Sequence, residues 1–287
     1  MLYNSPLRYP GGKRRIAGFM RSICDSNDLH NYYVEPFAGG ASIAINLLLS
    51  GTVRKVLIND KDRSIYAFWH SVTKEPDRLC SMISNVDISL ETREVQKSIQ
   101  KNKNKADLLE LGFSTLFLNR TNRSGILNAG AIGGIKQCGN YKIDCRFNKD
   151  DIIKRILQVS HLSSDIVISN LDAEKLLLKL ESPKFHDSMI YLDPPYFVQG
   201  SSLYMNSYKY DDHKKLADRI LNLNNNWVVS YDNVPQIVSL YSSVRHLKYD
   251  LEYFANEAKI GKEIMFFSDG LKFNRNISPL EYNTLKK

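Results

Sequence analysis

A strand, a glycine turn and a helix follow one another early in the chain, and this succession constrains the fold most. The β-rich stretch from Tyr32 to Phe37 is followed by two glycines, and an apolar segment then runs from Ala41 to Leu49. A second short strand covers Lys55 to Asn59. Units of this kind build parallel sheets that bind ligands where the strands end. The sequence therefore predicts an α/β fold with a site at the carboxyl edge of the sheet.

Strand and helix signals resume in the second half of the chain, after a long interruption. The strand signals lie at 166–168, 189–192 and 227–230, the helical patterns at 173–180 and 213–223, and a closing antiparallel pair at 247–254 and 263–267. Between roughly residues 75 and 160 the pattern is helical at first and then rich in glycine, asparagine and basic residues. We therefore predict one α/β domain formed by residues 1–74 and 161–287, with an insertion at 75–160.

Charge and cysteine content limit the class of protein. The 287 residues carry a formal net charge of +8, which is compatible with a polyanionic partner without requiring one. The four cysteines form no C-x-x-C pair and have no histidines at zinc-ligand spacing, so we expect no metal and no disulfide scaffold. No apolar run is long enough to cross a bilayer, and the amino terminus carries no signal segment. We expect a cytoplasmic protein.

The loop that follows the strand at 189–192 reads Asp193-Pro194-Pro195-Tyr196. Prolines fix the backbone and supply no N–H groups, so the carbonyls of this loop are rigid acceptors. The Asp193 carboxylate and the Pro194 carbonyl can accept both hydrogens of an exocyclic amine and direct its lone pair, while Tyr196 stacks on the ring. We predict Asp193, Pro194, Pro195 and Tyr196 as catalytic residues. The alternative is a plain strand-ending turn with an aromatic anchor.

The turn after the first strand is a second candidate site. In folds of this type, a nucleoside cofactor lies against bare backbone at such a turn, although the fingerprint G-x-G-x-x-G is absent. The predicted cofactor-binding residues of the turn are Glu35, Pro36, Phe37, Gly39 and Gly40. Asp60 ends the second strand, where a carboxylate can accept from ribose hydroxyls. The alternative for Asp60 is an N-cap of the next helix.

Five segments, in order along the chain, resemble the Dam-like DNA adenine N6-methyltransferases of the alpha group, the D12 class. These segments are Arg8-Tyr9-Pro10-Gly11-Gly12-Lys13, Glu35 to Gly40, Asn59-Asp60, Leu118-Asn119-Arg120 through Gly125, and Asp193 to Tyr196. Five ordered motifs are far more specific than one four-letter loop. The resemblance implies a Rossmann-like sheet that uses S-adenosylmethionine, with the insertion at 75–160 as a target-recognition domain that binds DNA.

The resemblance also implies roles for individual residues. An aromatic residue and a lysine in the family's amino-terminal motif contact S-adenosylmethionine, and Tyr9 and Lys13 hold these positions. Asp172 stands where the family contacts the cofactor adenine, although it can equally cap the helix that follows. Asp193 is expected to face both the cofactor and the target base. One departure is Ala41, at a position where the family often has glycine.

The insertion is strongly basic in its second half. Residues 119–149 contain six basic side chains and one acidic side chain, a balance that favours contacts with phosphates. Together with the resemblance, this predicts a DNA-binding set that consists of Arg8, Asn119, Arg120, Asn122 and Arg123. Arg8 is expected beside a flipped base, and the side chains of Asn119, Asn122 and Arg123 can pair with base edges. The alternative is a solvated basic loop.

The expected reaction is methyl transfer from S-adenosylmethionine to N6 of an adenine flipped out of duplex DNA. The family resemblance implies a monomer, and a cognate restriction endonuclease is a candidate partner that would form no stable complex with it. The same catalytic loop can hold cytosine N4 or an adenine in RNA. From a different class of function, the chain can be an inactive regulator that binds nucleic acid. The target sequence stays open.

Overall fold

One mixed sheet organises the protein, whose computed structural model describes residues 3, 5–8, 13–198, 208–254, 258–274 and 276–281. The strands are β1 (Tyr32–Glu35), β2 (Lys55–Asn59), β3 (Ile166–Ser169), β4 (Ser188–Leu192), β5 (Asn226–Asp232), β6 (Arg245–Phe254) and β7 (Ala258–Phe267). The helices of the described residues are α1 (Ala17–Ser26), α2 (Ser42–Leu49), α3 (Arg63–Lys74), α4 (Pro76–Asn85), α5 (Leu90–Lys101), α6 (Leu108–Thr121), α7 (Lys149–Ser160), α8 (Ala173–Leu180), α9 (Tyr210–Leu221) and α10 (Pro235–Leu240). The predicted α/β fold is confirmed.

The strand order is β3-β2-β1-β4-β5-β7-β6. Strands β1 to β5 are parallel to one another, whereas β7 runs antiparallel between β5 and β6. The chain moves outward from β1 to β3 and then returns to place β4 on the other side of β1. Ligands of open α/β sheets bind where the strand order reverses in this way. The carboxyl ends of β1 and β4 therefore define the position of the site.

Both faces of the sheet are covered. In β1, Tyr33 packs into a core formed with α1, α2, α3, α4, α6 and α7, whereas Val34 packs into a second core formed with α8, α9 and α10. In β2, Val56 and Leu57 alternate in the same way. Because side chains of a strand point alternately to opposite faces, a sheet buried on both faces reads as a continuous apolar run. This explains why the short parallel strands could be predicted.

The inserted segment shares the first of these cores. Leu79 of α4, Phe117 of α6 and Ile156 of α7 are buried in the same hydrophobic cluster as residues of α1 and α2. The helical half of the insertion thus packs against the sheet domain. That residues 75–160 act as a target-recognition domain stays a prediction. Among the described residues, none of the helices combines the length and the apolar character that a bilayer span requires.

Candidate active site

The pocket of interest lies at the reversal of strand order. Glu35 ends β1, and Asp193 directly follows β4. Both residues line one pocket, together with the residues of the intervening turn and several basic side chains from other segments. The remaining lining residues are Ser5, Leu7, Arg8, Lys13, Arg14, Phe37, Ala38, Gly40, Ala41, Ser42, Ile43, Arg120, Arg155 and Tyr191. The structure therefore brings the two motifs predicted to carry the chemistry into a single cavity.

The turn between β1 and α2 has an unusual backbone. Gly39 and Ala41 both adopt positive φ angles, of 46° and 44°, a region that favours glycine because side chains with a Cβ are strained there. Ala41 is the position where the resembling family often carries glycine. The Asp60 carboxylate stabilises the turn by accepting a hydrogen bond from the Gly39 amide at 3.0 Å, and the Trp69 indole donates to the Gly39 carbonyl at 2.8 Å.

Two acidic residues of the predicted cofactor site are buried in unfavourable surroundings for a charge. Glu35 accepts a hydrogen bond from the Ala44 amide of α2 at 2.9 Å, and burial raises the pKa of its carboxyl to about 8. Burial likewise raises the pKa of Asp60 to about 7, although the amides of Asp62 and Gly39 donate to it. Asp62, not Asp60, is the N-cap of α3. A carboxylate in such a place is suited to a cationic or hydroxyl-bearing ligand.

Asp193 is held through one of its two oxygens. The Ser230 hydroxyl donates to Oδ1 at 2.8 Å, and Lys13 Nζ lies 3.1 Å from the same atom. Ser230 is itself hydrogen-bonded to the Tyr191 hydroxyl at 2.8 Å. The contacts that the described residues make with this carboxylate therefore fall on Oδ1, at the end of a polar chain from β4 and β5.

Lys13 lies at the centre of a buried group, which we name the Lys13 cluster: Lys13, Asp193, Tyr196 and Glu263. Its ammonium is 3.0 Å from Glu263 Oε2 and 2.5 Å from the Tyr196 hydroxyl. Burial opposes the charge on Lys13, but the two carboxylates prevail and raise its pKa well above the usual value. Lys13 was predicted to contact the cofactor. The structure shows that it joins β7 to the catalytic loop.

The segment that follows the catalytic loop is fixed by Asp232 at the end of β5. Its two carboxylate oxygens accept the backbone amides of Phe197 at 3.0 Å and Val198 at 2.9 Å. Pro194 and Pro195, which precede this segment, are buried. The loop is thus restrained on both sides, by Lys13 and Ser230 before the prolines and by Asp232 after Tyr196.

Asp172 is the N-cap of α8, as the alternative interpretation had it. Its Oδ1 accepts the Glu174 amide at 3.0 Å, and its Oδ2 pairs with Lys61 Nζ at 2.8 Å. Partial burial opposes ionisation, but the hydrogen bond from Lys61 and the cap lower the pKa of Asp172. Its contact with a cofactor stays a prediction. Tyr9, the predicted stacking residue, lies outside the described residues.

Two residues of the predicted DNA-binding set are buried and hold the amino-terminal segment. The Asn119 side chain accepts the Arg8 amide at 2.7 Å and donates to the Arg8 carbonyl at 2.6 Å and the Gly125 carbonyl at 2.8 Å. The Arg120 guanidinium donates to the carbonyls of Pro6 and Ser5. Burial, with the guanidinium groups of Arg155 and Arg8 nearby, lowers the pKa of Arg120 to about 10. In this structure neither side chain faces outward toward DNA.

Asn122 is also buried, and only Arg123 of this stretch is exposed. Asn122 donates to the Ile126 and Leu127 carbonyls at 3.1 and 2.7 Å and accepts from Arg93 Nε at 2.7 Å. Arg93, which sequence reasoning missed, also donates to the Ala129 carbonyl at 2.9 Å. These bonds fix the loop at residues 122–131, hereafter the 122–131 loop.

Arg8 lies between the pocket and the 122–131 loop. It lines the pocket, and its Nη1 is buried without a hydrogen-bond partner among the described residues. Burial, together with Arg146, lowers its pKa. Gly125 has a φ of +76°, and a Cβ there would lie 2.7 Å from the Arg8 carbonyl oxygen, so glycine is required for this close approach. The family motif around Gly125 thus packs directly against the main chain of the amino-terminal segment.

Comparison with known proteins identifies the family. The model of the D12 class N6 adenine-specific DNA methyltransferases matches residues 9–253, which is most of the chain. This chain belongs to the D12 class. It is therefore an enzyme that methylates adenine in DNA and requires a methyl donor.

Individual relatives are more distant. The chain is 29% identical over 227 residues to the Type II methyltransferase M.MjaIII of Methanocaldococcus jannaschii, which covers 71% of this chain and 73% of the relative. Among solved structures, the D12-class chain is similar to a candidate RNA methyltransferase from Pyrococcus horikoshii, at 8% identity and a TM-score of 0.42 over 92% of this chain and 86% of that one. The rRNA methyltransferase AviRa from Streptomyces viridochromogenes gives 12% identity and a TM-score of 0.40, over 93% and 88%.

Proposed function

We propose that this D12-class enzyme takes its methyl group from S-adenosylmethionine bound at the turn between β1 and α2, and that Asp193, Pro194 and Tyr196 hold the target adenine. The observation that carries the proposal is the asymmetry of the Asp193 carboxylate. Ser230 and Lys13 engage Oδ1, which leaves Oδ2 to accept a hydrogen of the adenine amine at the edge of the pocket. The Pro194 carbonyl accepts the second hydrogen.

The residues of the pocket fit the proposed donor. Positive φ angles at Gly39 and Ala41 turn the backbone sharply beneath the pocket, so a nucleoside can approach main-chain atoms. Glu35 lines the pocket and offers a buried carboxylate to a cationic amino group. Asp60 is not a lining residue; it holds the turn through the Gly39 amide and keeps lone pairs for ribose hydroxyls. When bound, S-adenosylmethionine supplies a methyl group that is activated by its attachment to a sulfonium.

The chain's own contribution is alignment of the adenine amine. Two acceptors fix both N–H bonds and direct the nitrogen lone pair out of the ring plane toward the pocket. The ring of Tyr196 stacks on the base, while its hydroxyl stays bound to Lys13 and Glu263. Positioning of this kind can supply about 7 to 11 kcal/mol of the barrier. Because the amine lies inside the duplex, the adenine is flipped out first, at a cost of about a few kcal/mol.

The DNA surface is proposed to lie on the insertion at 75–160, which acts as the target-recognition domain. Arg123 is exposed and its side chain lies over Gly130, so its guanidinium is available for a base edge or a phosphate. Three buried residues then fix the shape of this surface without themselves contacting DNA: Asn119, Arg120 and Asn122. Arg8 links the surface to the pocket.

The biological setting is proposed from the relative in Methanocaldococcus jannaschii, which is named a Type II methyltransferase. In this proposal the enzyme acts as a monomer on duplex DNA, as expected from the family resemblance, and modifies sites that a separate endonuclease would cut. Sequencing of DNA from cells that express the protein should reveal methylated adenines within one short recurring sequence.

The decisive test compares Asp193→Asn with the wild-type enzyme, using S-adenosylmethionine with a labelled methyl group and duplex DNA. Asp193→Asn should lower turnover by about 10³-fold and leave the affinity for the donor within a few-fold. Asp187→Asn, an exposed residue just before β4, is the matched control and should behave as wild type. Transfer of label to cytosine or to RNA alone, or normal turnover in Asp193→Asn, would contradict the proposal.

A further inference from the structure

We infer that Glu263 of β7 is a positioning residue for methyl transfer, which fixes the ring of Tyr196 and, through Lys13, the bound oxygen of Asp193. This inference rests on the proposed function, in which Asp193 and Tyr196 hold the adenine. It adds a residue from the far end of the chain, outside the five motifs, to the catalytic machinery.

The contacts of Glu263 converge on one atom. Oε2 accepts the Tyr196 hydroxyl at 2.6 Å, Lys13 Nζ at 3.0 Å and the Tyr249 hydroxyl at 3.3 Å. The side chain is only 1% exposed, so these protein groups take the place of water. A buried carboxylate with charge-assisted donors of this kind gives short, directional bonds. Glu263 is therefore an anchor with a fixed geometry.

The charge of the cluster needs Glu263 as well as Asp193. The Lys13 ammonium lies about midway between the two carboxylates, at 3.0 Å from Glu263 and 3.1 Å from Asp193. Without Glu263, the ammonium would keep a single acidic partner and could move toward Asp193. With Glu263 present, Lys13 contacts Oδ1 from a defined direction. The unbound oxygen of Asp193 is thereby oriented toward the pocket.

The tether of Tyr196 fixes the position of its ring and restricts its rotation. A tyrosine ring that is held only at its Cα end can rotate about two side-chain bonds, and rotation would change the stacking surface offered to the adenine. The hydroxyl contacts with Glu263 and Lys13 hold the opposite end of the ring, and Lys13 also lies 5.1 Å from the ring centroid. The Tyr196 side chain is buried. Holding both ends fixes the direction of the ring axis. Because a phenol makes its hydrogen bonds close to the plane of its ring, the contacts with Glu263 and Lys13 also restrict rotation about that axis.

The backbone of Glu263 is held in place by the sheet. Glu263 is paired with Asp232 in β5 and with Tyr249 in β6, so it lies inside the sheet. Asp232 holds the backbone of Phe197 and Val198. Adjacent positions of β5 and β7 therefore restrain the catalytic loop, one through its main chain and the other through the Tyr196 hydroxyl.

The test is a double-mutant cycle between Glu263→Gln and Tyr196→Phe, with turnover, KM for DNA and donor affinity measured for each enzyme. Tyr196→Phe keeps the ring and removes the tether, and Glu263→Gln keeps the shape and removes the charge. We expect kcat to fall about 10- to 100-fold in each single variant, with KM and donor affinity within about threefold. The double variant should be no slower than the slower single variant, because both changes disrupt one tether.

Tyr241→Phe is the matched control, since it removes the hydroxyl of another fully buried tyrosine, which belongs to the second core and not to the Lys13 cluster. It should retain wild-type kcat. Wild-type kcat in both single variants, fully additive losses, or a loss of donor affinity instead of turnover would overturn the inference. These outcomes leave the role of Asp193 untouched, since that role is tested by Asp193→Asn on otherwise wild-type protein. Thermal melting of each variant separates a folding defect from a turnover defect.

Discussion

The catalytic pocket and the 122–131 loop are both fixed by buried polar side chains, but they use different chemistry. The pocket depends on carboxylates and an ammonium that neutralise one another in the Lys13 cluster, and on the buried carboxyl of Glu35. The loop depends on Asn122 and Arg93, which donate mainly to main-chain carbonyls. Carboxylates change their protonation state with pH, and a buried carboxylate that loses its cationic partner lowers the stability of the protein. Amide and guanidinium groups keep one protonation state across the ordinary pH range. The structure of the loop should therefore depend less on pH than that of the pocket.

Replacement of Lys13 by Met should break the pocket most severely. The change leaves the buried carboxylate of Glu263 and the partly buried carboxylate of Asp193 without their common cation. Removal of one partner from a buried ion pair typically costs about 3–5 kcal/mol of unfolding free energy. Urea denaturation would measure this loss. The double variant Lys13→Met with Glu263→Gln should recover part of it, and a loss below about 1 kcal/mol would mean that the cluster is not electrostatically coupled.

Glu35→Gln sharpens the comparison through pH. The folded-state pKa of Glu35 is raised to about 8 from 4.5, so its contribution to stability is complete below about pH 4.5 and is lost as pH rises through about 8. In the absence of the methyl donor, the wild-type protein should therefore lose stability as the pH rises through this window. Over the same pH window, Glu35→Gln should lose about 1–3 kcal/mol less unfolding free energy than the wild type.

Melting temperatures across this pH range would test that expectation. Asp60, with a pKa raised from 3.8 to about 7, contributes a dependence of the same sign that persists in Glu35→Gln. Glu110→Gln on the exposed side of α6 is the control and should follow the wild-type curve. Equal pH slopes for Glu35→Gln and the wild type would show that Glu35 is not the titrating group.

Arg93→Met should release the 122–131 loop. It leaves Asn122 Oδ1 and the Ala129 carbonyl without their donor, at a cost of about 1–3 kcal/mol. We expect DNA affinity to fall about 10-fold, donor affinity to stay unchanged, and the defect to be equal at pH 6 and pH 8. Arg78→Met, at an exposed ion pair on α4, is the control. A defect that varies with pH would contradict the contrast between the two regions.

Arg123→Ala should have the smallest effect, since it removes an exposed contact and leaves the loop intact. We expect DNA affinity to fall about 3- to 10-fold and protein stability to stay within about 0.5 kcal/mol. If the contact is to a phosphate, the salt dependence of binding should decrease by about one unit of slope. Lys101→Ala, at the exposed end of α5, should leave affinity unchanged, and equal losses in both variants would point to a general charge effect.

The comparison also explains what could be predicted from the sequence. The positions of Glu35, Asp60 and Asp193 at the carboxyl edge follow from local patterns, because parallel strands end at a common edge. The closing antiparallel pair of strands was predicted correctly as well. Ser230 and Asp232 could have been found by the same reasoning, because both are polar residues at the carboxyl end of β5.

Other features depend on contacts between distant segments. The polarity of Asn119, Arg120 and Asn122 suggested DNA contacts. Polarity does not reveal that residues 5–8 cross over the end of α6 and bind Asn119 and Arg120, or that Asn122 binds Arg93 and its own loop. Glu263 was missed because an acidic residue in an apolar strand carries no local sign of its partners. Its role becomes visible only when β7 is known to lie between β5 and β6.

The span between Lys13 and Glu263 has a consequence for how the enzyme matures. These residues are separated by 250 positions in the chain, and the strand that carries Glu263 pairs on both of its edges. Contacts between such distant segments form late, because the entropy of closing long loops must be met first. A growing chain can fold its first strands during synthesis and still lack a working catalytic loop. From the role inferred for Glu263, we expect methylation to begin only once β7 has entered the sheet, so that chains still lacking β7 leave DNA unmarked.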